Sequence, residues 1–294
     1  ANNNVALGDG ALDDASLSGS NNVAIGEDAL AANTTASNST AVGYQAGYAN
    51  TTGGNLTSLG FRSLYNNTTG FYNTAVGYQA AYSNTTGTAN VAQGYRSLQN
   101  NTTGGYNIAI GTDSLYNNTT ASYNTAVGYQ AGYANTASTG NVSIGRLAGY
   151  ANTAAYTTYL GEAAGYNATG TLNTYVGNGS GYYMTTGQKN TILGAYNGNE
   201  GGLDICTSSN NIVLSDGDGN PWLYYDYSLR SNTGGWVSKV GTADMTAQNN
   251  NNNYGFHLGT DGFNEFKRLN GQSPVARFAL QGTTGSLIEF YQNG

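Results

Sequence analysis

Short apolar triplets closed by a glycine alternate along the chain with polar stretches of Asn and Thr, as in Thr74-Ala75-Val76-Gly77. The closing glycine stands at Gly8, Gly26, Gly43, Gly60, Gly77, Gly94, Gly111, Gly128, Gly145, Gly161, Gly177 and Gly194, in steps of 18, then 17 seven times, then 16, 16 and 17. A unit of this length cannot enclose a core of its own. Its apolar face is covered only if successive units stack, so the spacing predicts an all-β solenoid, a parallel β-roll of mostly 17-residue coils over residues 1–200.

Within each unit the triplet alternates. One residue before the glycine lie Leu7, Ile25, Val42, Leu59, Val76, Ile110, Val127, Ile144, Leu160, Val176 and Leu193, with Gln93 the one polar member; three before it lie Val or Ile and seven threonines, among them Thr40 and Thr74. Period two in β-branched residues predicts a short strand. Between these columns stand Ala6, Ala24, Ala41, Ser58, Ala75, Ala92, Ala109, Ala126 and Ser143. A solvated face has no need of alanine at every turn. Both sides of the strand are therefore expected to be covered, one inside the coil and the small-residue side against a second wall, supplied by other copies in an intertwined homotrimer. At Tyr159, Tyr175 and Ile192 the small residues give way to large ones, and the packing distance is expected to grow.

The glycines, among them Gly43, Gly60, Gly77, Gly94, Gly111, Gly128 and Gly145, are expected to turn a corner that a side chain would forbid, or to admit a neighbouring backbone. Beyond each lies Ala or Ser, then Leu or Gly, then a tyrosine column (Tyr48, Tyr65, Tyr82, Tyr116, Tyr133, Tyr150, Tyr166, Tyr182) and a polar return such as Asn-Thr-Thr-Gly. This reads as a strand, a corner, a second short extended piece and a turn-rich loop. The tyrosines either pack onto the next coil or form an external ladder along which a glycan could lie. Gln93 is expected to sit buried with its amide satisfied, or else to turn outward at a local irregularity.

The glycine pattern stops after Gly194. Residues 210–226 read as a strand, an Asp-Gly turn and a second strand carrying Trp222 and Tyr224, and the rest of 201–294 as a small β-rich module. Charged residues make up 9% of the chain, too few for a charged disordered tail or a coiled coil. The net charge of -7 comes without a basic stripe, which argues against nucleic acid as a partner, and no apolar run is long enough to insert in a membrane.

Candidate chemistry is sparse. His257 is the only histidine, so no His-based triad or metal cluster can form, and no enzymatic role or cofactor is expected. Cys206 stands alone and reads as a small buried hydrophobe. Asp216, Asp218 and Asn220 have the opening spacing of a calcium loop, but Tyr227 occupies the twelfth position where a glutamate would be needed; a hairpin turn is the simpler reading. Asn-x-Ser/Thr sequences at Asn50, Asn67, Asn84, Asn101, Asn118 and Asn141 follow from Asn and Thr serving as turn formers in a repeat. Recognition is expected where repetition ends, in the distal aromatics Trp222, Tyr224, Tyr225, Trp236, Tyr254 and Phe256, whose alternative role is the core of the small module.

Two resemblances bear on function. "NNVAIGEDAL" (21–30) and "NIAIGTDSL" (107–115) resemble the head repeats of trimeric autotransporter adhesins, which are parallel β-rolls in intertwined trimers. "NNIVLSDGDGN" and "TTGSLIEFYQNG" resemble the region of bacteriophage tail fibres and spikes that precedes a C-terminal intramolecular chaperone. Together they imply a structural and host-recognition protein of a phage tail fibre, carried on the virion and attached to other tail proteins, that adheres to a bacterial surface polysaccharide or protein. A trimeric bacterial surface adhesin or extracellular filament subunit is the alternative.

Overall fold

The computed structural model describes residues 2–226 together with the strands 254–258, 263–268 and 276–279. Two compact units divide the chain, Ala1–Trp222 and Leu223–Gly294.

The first unit is a parallel β-solenoid. Each triplet before a glycine is a three-residue strand, from β1 (Val5–Leu7) and β2 (Val23–Ile25) through to β12 (Thr191–Leu193). Every strand pairs in parallel with the equivalent residues of the next, as Thr74↔Val91, Ala75↔Ala92 and Val76↔Gln93 do. The ladder runs on past the last repeat glycine. After a short antiparallel pair, β13 (Asn199–Glu200) with β14 (Leu203–Asp204), strand β15 (Asn211–Ser215) pairs in parallel with β12, placing Ser215 where the repeat had glycine. Strand β16 (Pro221–Asp226) ends the sheet. Residues 210–226 are thus the strand, turn and strand that their sequence predicts. In the second unit β17 (Tyr254–Leu258), β18 (Phe263–Arg268) and β19 (Ala276–Ala279) form an antiparallel meander.

The faces of the solenoid sheet are the reverse of the sequence expectation. Ala24, Ala41, Ala75, Ala92, Ala109 and Ala126 are fully buried within the single chain, and Ser58 and Ser143 nearly so. The flanking Thr, Val, Ile and Leu columns face outward, half-buried or exposed. This column faces the lumen of the coil, where Tyr159, Tyr175 and Ile192 are likewise fully buried, so it cannot line a contact between copies. Gln93 sits in the outward column and is exposed, which rejects its buried reading.

No second strand follows the corner. The residues two and four positions after the glycine adopt left-handed backbone, as Gln45 (φ 54°) and Gly47 (φ 62°) do, and hydrogen-bonded turns replace the expected extended piece. These turns carry the larger core residues: Leu30, Leu64, Leu98 and Leu115 are buried at φ of 47–54°. An L-residue pays roughly 1–2 kcal/mol for this conformation, and at these positions burial of the leucine side chain offsets it.

The repeat glycine does both things expected of it. Gly77 has φ 136°, and a Cβ added there would lie 2.5 Å from the carbonyl oxygen of Gly94. Gly43, Gly60, Gly94, Gly111, Gly128 and Gly145 share the left-handed region and the same approach to the next coil.

The polar returns are less exposed than their composition suggests. Asn50, Asn67, Asn84, Asn101 and Asn118 are fully buried. Each donates from Nδ2 to the Oδ1 of the preceding one, at 2.8–2.9 Å from Asn67 onward. Most also donate to a carbonyl of their own return, as Asn84 does to Gly87. A second column, Asn73, Asn90, Asn107, Asn124 and Asn141, accepts at Oδ1 from the backbone N–H of the next coil. The sequons at these positions therefore serve the core, where an attached glycan would have no room.

Candidate functional site

Three surfaces can meet a partner. The first is the outward face of the sheet. Val5, Leu7, Ile108, Leu160, Leu193, Ile212 and Leu214 are all exposed there. Immediately before each strand, two positions upstream of its first residue, lies a column of left-handed residues that includes Tyr72, Tyr106, Tyr123 and Tyr156, each exposed by more than half. Asn21, Asn38, Asn55 and Asn210 occupy the same column elsewhere, where their short polar side chains tolerate this backbone better than a tyrosine does. Tyr106 and Tyr123 stack on each other at 5.2 Å, yet all four tyrosines leave more than half of their surface exposed. This column went unnoticed in the sequence, although its 17-residue spacing is visible once the glycines are aligned.

The second surface is a pair of aromatic ladders. Tyr48, Tyr65 and Tyr82 stack at 5.0–5.1 Å with ring planes 5–6° apart, and Tyr116, Tyr133, Tyr150, Tyr166 and Tyr182 continue at 5.0–5.3 Å. A second ladder, Tyr44, Phe61, Tyr78 and Tyr95, follows the glycines directly. Where Gln99 interrupts the first ladder, the Arg96 guanidinium lies 4.9 Å from the Tyr116 ring and 4.8 Å from Tyr95, and it is held by Asp113 at 2.9 Å. Of the two expectations for the tyrosines, packing onto the next coil is the one realised. Inner rungs have both ring faces covered by neighbours and offer only edges and hydroxyls, so a sugar ring cannot stack on them.

The third is the turn at the end of the first unit. The Asp216 carboxylate accepts from the backbone N–H groups of Asp218 (3.0 Å) and Asn220 (2.9 Å), from Asn220 Nδ2 (3.1 Å) and from Trp222 Nε1 (3.1 Å). The Asn220 side-chain bond, with these other donors, holds its pKa below the usual carboxylate value. A carboxylate engaged by so many N–H donors is the hub of a turn, and among the described residues no cluster of His, Cys, Asp or Glu could hold a metal ion. Its product is Trp222, pinned by its indole N–H with 73% of its surface exposed.

The remaining distal aromatics are placed as follows. Tyr224 is half-buried in β16; Tyr225 follows in the same strand; Tyr254 and Phe256 lie in β17. Trp236 lies outside the described residues. Cys206 is half-buried rather than buried, and burial with the Asp204 carboxylate beside it pushes its thiol up to about 11, which keeps it protonated and poorly nucleophilic.

No family model, curated protein or solved structure matches the chain. What stands is the architecture, an all-β repeat solenoid of the kind found among adhesins and fibre proteins in general. Among the described residues no helix is long and apolar enough to cross a membrane.

Proposed function

We propose that this chain is a structural and host-recognition protein of a bacteriophage tail fibre, assembled as a parallel homotrimer and adhering to a polysaccharide or protein of the bacterial surface. One observation carries the assembly: an outward face of aliphatic residues interspersed with threonines, bordered by exposed left-handed tyrosines, that the single chain leaves half-buried or exposed. Covering each aliphatic side chain of this face is worth on the order of 1 kcal/mol. Over thirteen parallel rungs the sum is comparable to the roughly 4–15 kcal/mol that association costs. Copies aligned rung to rung cover the whole face, and the resemblance to autotransporter heads supplies the number three. The contact runs through the aliphatic and tyrosine columns, since the alanine column lies in the lumen.

The shaft then sets reach, and adhesion falls to places where repetition fails, of which the exposed Trp222 is the most prominent. This reading is non-enzymatic and needs no cofactor. Nucleic acid is not a partner, and other tail proteins meet the ends of the shaft. The test is binding of the fluorescently labelled full chain to a panel of bacterial strains. Saturable binding to some strains that Trp222→Ala weakens is expected, whereas uniform absence of binding makes the chain a spacer.

A further inference from the structure

Where the first aromatic ladder ends, the repeat is altered in a concerted way. The position after the glycine, aromatic at Tyr44, Phe61, Tyr78, Tyr95 and Tyr129 and then charged at Arg146 and Glu162, becomes Asn178 and then Ala195. The next position, long in five earlier coils at Gln45, Arg62, Gln79, Arg96 and Gln130, shrinks to Ala163 and then to Gly179. Two positions after the ladder tyrosine's neighbour Gly181 stands Tyr183, the only aromatic in a column otherwise filled by Ala, Asn, Ser and Asp. Large side chains have left and one aromatic has arrived.

The result is a cleft of about 330 Å³ lined by Asn178, Gly179, Tyr182, Tyr183, Asn197 and Asp218, with Ala195 and Gly217 completing it. Tyr182 is the last rung, stacked on Tyr166 at 5.0 Å, and Tyr183 stands at 84° to it with ring centres 5.0 Å apart. This perpendicular corner is where the ladder stops covering its own ring faces, and Tyr183 is 52% exposed. A Cβ added at Gly179 or Gly217 would meet nothing within 4 Å, so the space is open from both sides. Asn197 is fixed from behind, donating to Glu200 Oε2 and accepting from the Asn199 N–H, both at 2.9 Å. The Asn178 amide and the Asp218 carboxylate have no side-chain partner among the described residues.

We propose that this cleft binds one neutral pyranose unit of a surface glycan. An aromatic corner accepts the C–H face of a sugar ring, a carboxylate accepts from paired hydroxyls, and an amide both donates and accepts. The lining holds a carboxylate and no basic side chain, which disfavours phosphate, sulfate and uronate ligands. The inference rests on the adhesion reading for the source of the glycan, but the sugar-binding chemistry is tested separately.

The Gly179 backbone has φ 63°, and Gln45, Gln79 and Gln130 occupy the same column at 52–54°. Gly179→Gln should therefore fill the cleft at a backbone cost that these glutamines already bear in earlier coils; Gly217→Leu fills it from the other side should the first variant fold poorly. The full-length chain is titrated by saturation-transfer NMR and calorimetry with methyl glycosides of glucose, galactose, mannose and N-acetylglucosamine, and with cadaverine as a cationic probe. At least one glycoside should bind saturably in the millimolar range, and Gly179→Gln and Asp218→Asn should each weaken it at least tenfold while the protein still melts cooperatively well above the titration temperature. No glycoside binding, binding indifferent to both cleft-filling variants, or binding of cadaverine alone overturns the proposal. Cell binding by the native chain that Gly179→Gln leaves intact removes the cleft and spares the adhesion reading; glycoside binding without cell binding does the opposite.

Discussion

Gly165 lies against the ring of Tyr159, so closely that a Cβ at Gly165 would fall 2.6 Å from Tyr159 Cδ1. Gly149 and Gly181 stand in the same relation to Tyr159 and Tyr175. In earlier coils the partners are exchanged: Ala92 goes with Leu98 and Ala109 with Leu115. In these coils small is paired with large, and where both members are small, as at Ala41 and Gly47, Leu30 of the preceding coil takes up the space. The tyrosines are therefore accommodated by glycine within the coil, where the sequence led us to expect a wider spacing. Gly165→Leu alone should destabilise by more than about 3 kcal/mol through overpacking. Adding Tyr159→Ala, which recreates the Ala92–Leu98 pair, should recover at least half of that, and urea unfolding of the three proteins measures the coupling.

The asparagine ladder is fully buried and held by hydrogen bonds among its own side chains and the returns. Asn84 donates to Asn67 Oδ1 and to the Gly87 carbonyl, and accepts from Asn101. Asn84→Ala leaves several buried groups unpaired and should cost roughly 2–4 kcal/mol. Asn84→Asp, which puts a charge in the lumen, should cost more at neutral pH than at pH 3. Thermal melts at both pH values check this.

Burial raises the phenols of Tyr159 and Tyr175 far above the ordinary tyrosine value. Thr157 and Asn173 ease the shift at Tyr159 slightly, although neither meets its hydroxyl in hydrogen-bonding geometry. A raised folded pKa means that the unfolded chain loses its proton first. Stability is therefore complete below the unfolded value of about 10 and falls as pH rises beyond it. Tyr159→Phe and Tyr175→Phe should flatten this alkaline loss, and because they remove hydroxyls that lack a partner they should cost little at pH 7. Chemical denaturation between pH 8 and 11.5 reads the slope.

Asp216 gives the opposite sign. Its lowered pKa means that the turn is fully held above the ordinary carboxylate value of 3.8 and is released as pH falls below it. In a Trp236→Phe background, Trp222 fluorescence should change below pH 4, and Asp216→Asn should remove the transition.

Much of this was legible in the residues, and the failures have physical causes. The strands fall on the predicted triplets because β-branched residues at period two beside a fixed glycine admit few alternatives. Which side of the strand faces inward was not legible, since alternation shows that two faces differ without saying which is covered. Ala75 looked like a contact between chains because alanine columns permit close approach, and in a lumen this narrow the close approach is to the opposite wall. The missing second strand was hidden because Gln45, Arg62 and Leu64 hold left-handed backbone without being glycine or asparagine. Trp222 was singled out among the distal aromatics, and its place in a strand after a turn is as the sequence predicts. Tyr183 was not, because it is conspicuous only against its own column.

The central claim is that the outward face of the sheet is covered by other copies of the chain, and sedimentation equilibrium tests it most directly. The native protein should sediment at three times its 30.4 kDa chain mass. A variant carrying Val76→Asp, Ile110→Asp and Val127→Asp should sediment as a folded monomer with an unaltered far-ultraviolet circular dichroism spectrum. A native monomer at micromolar concentration, or a triple variant that stays associated, would contradict the account.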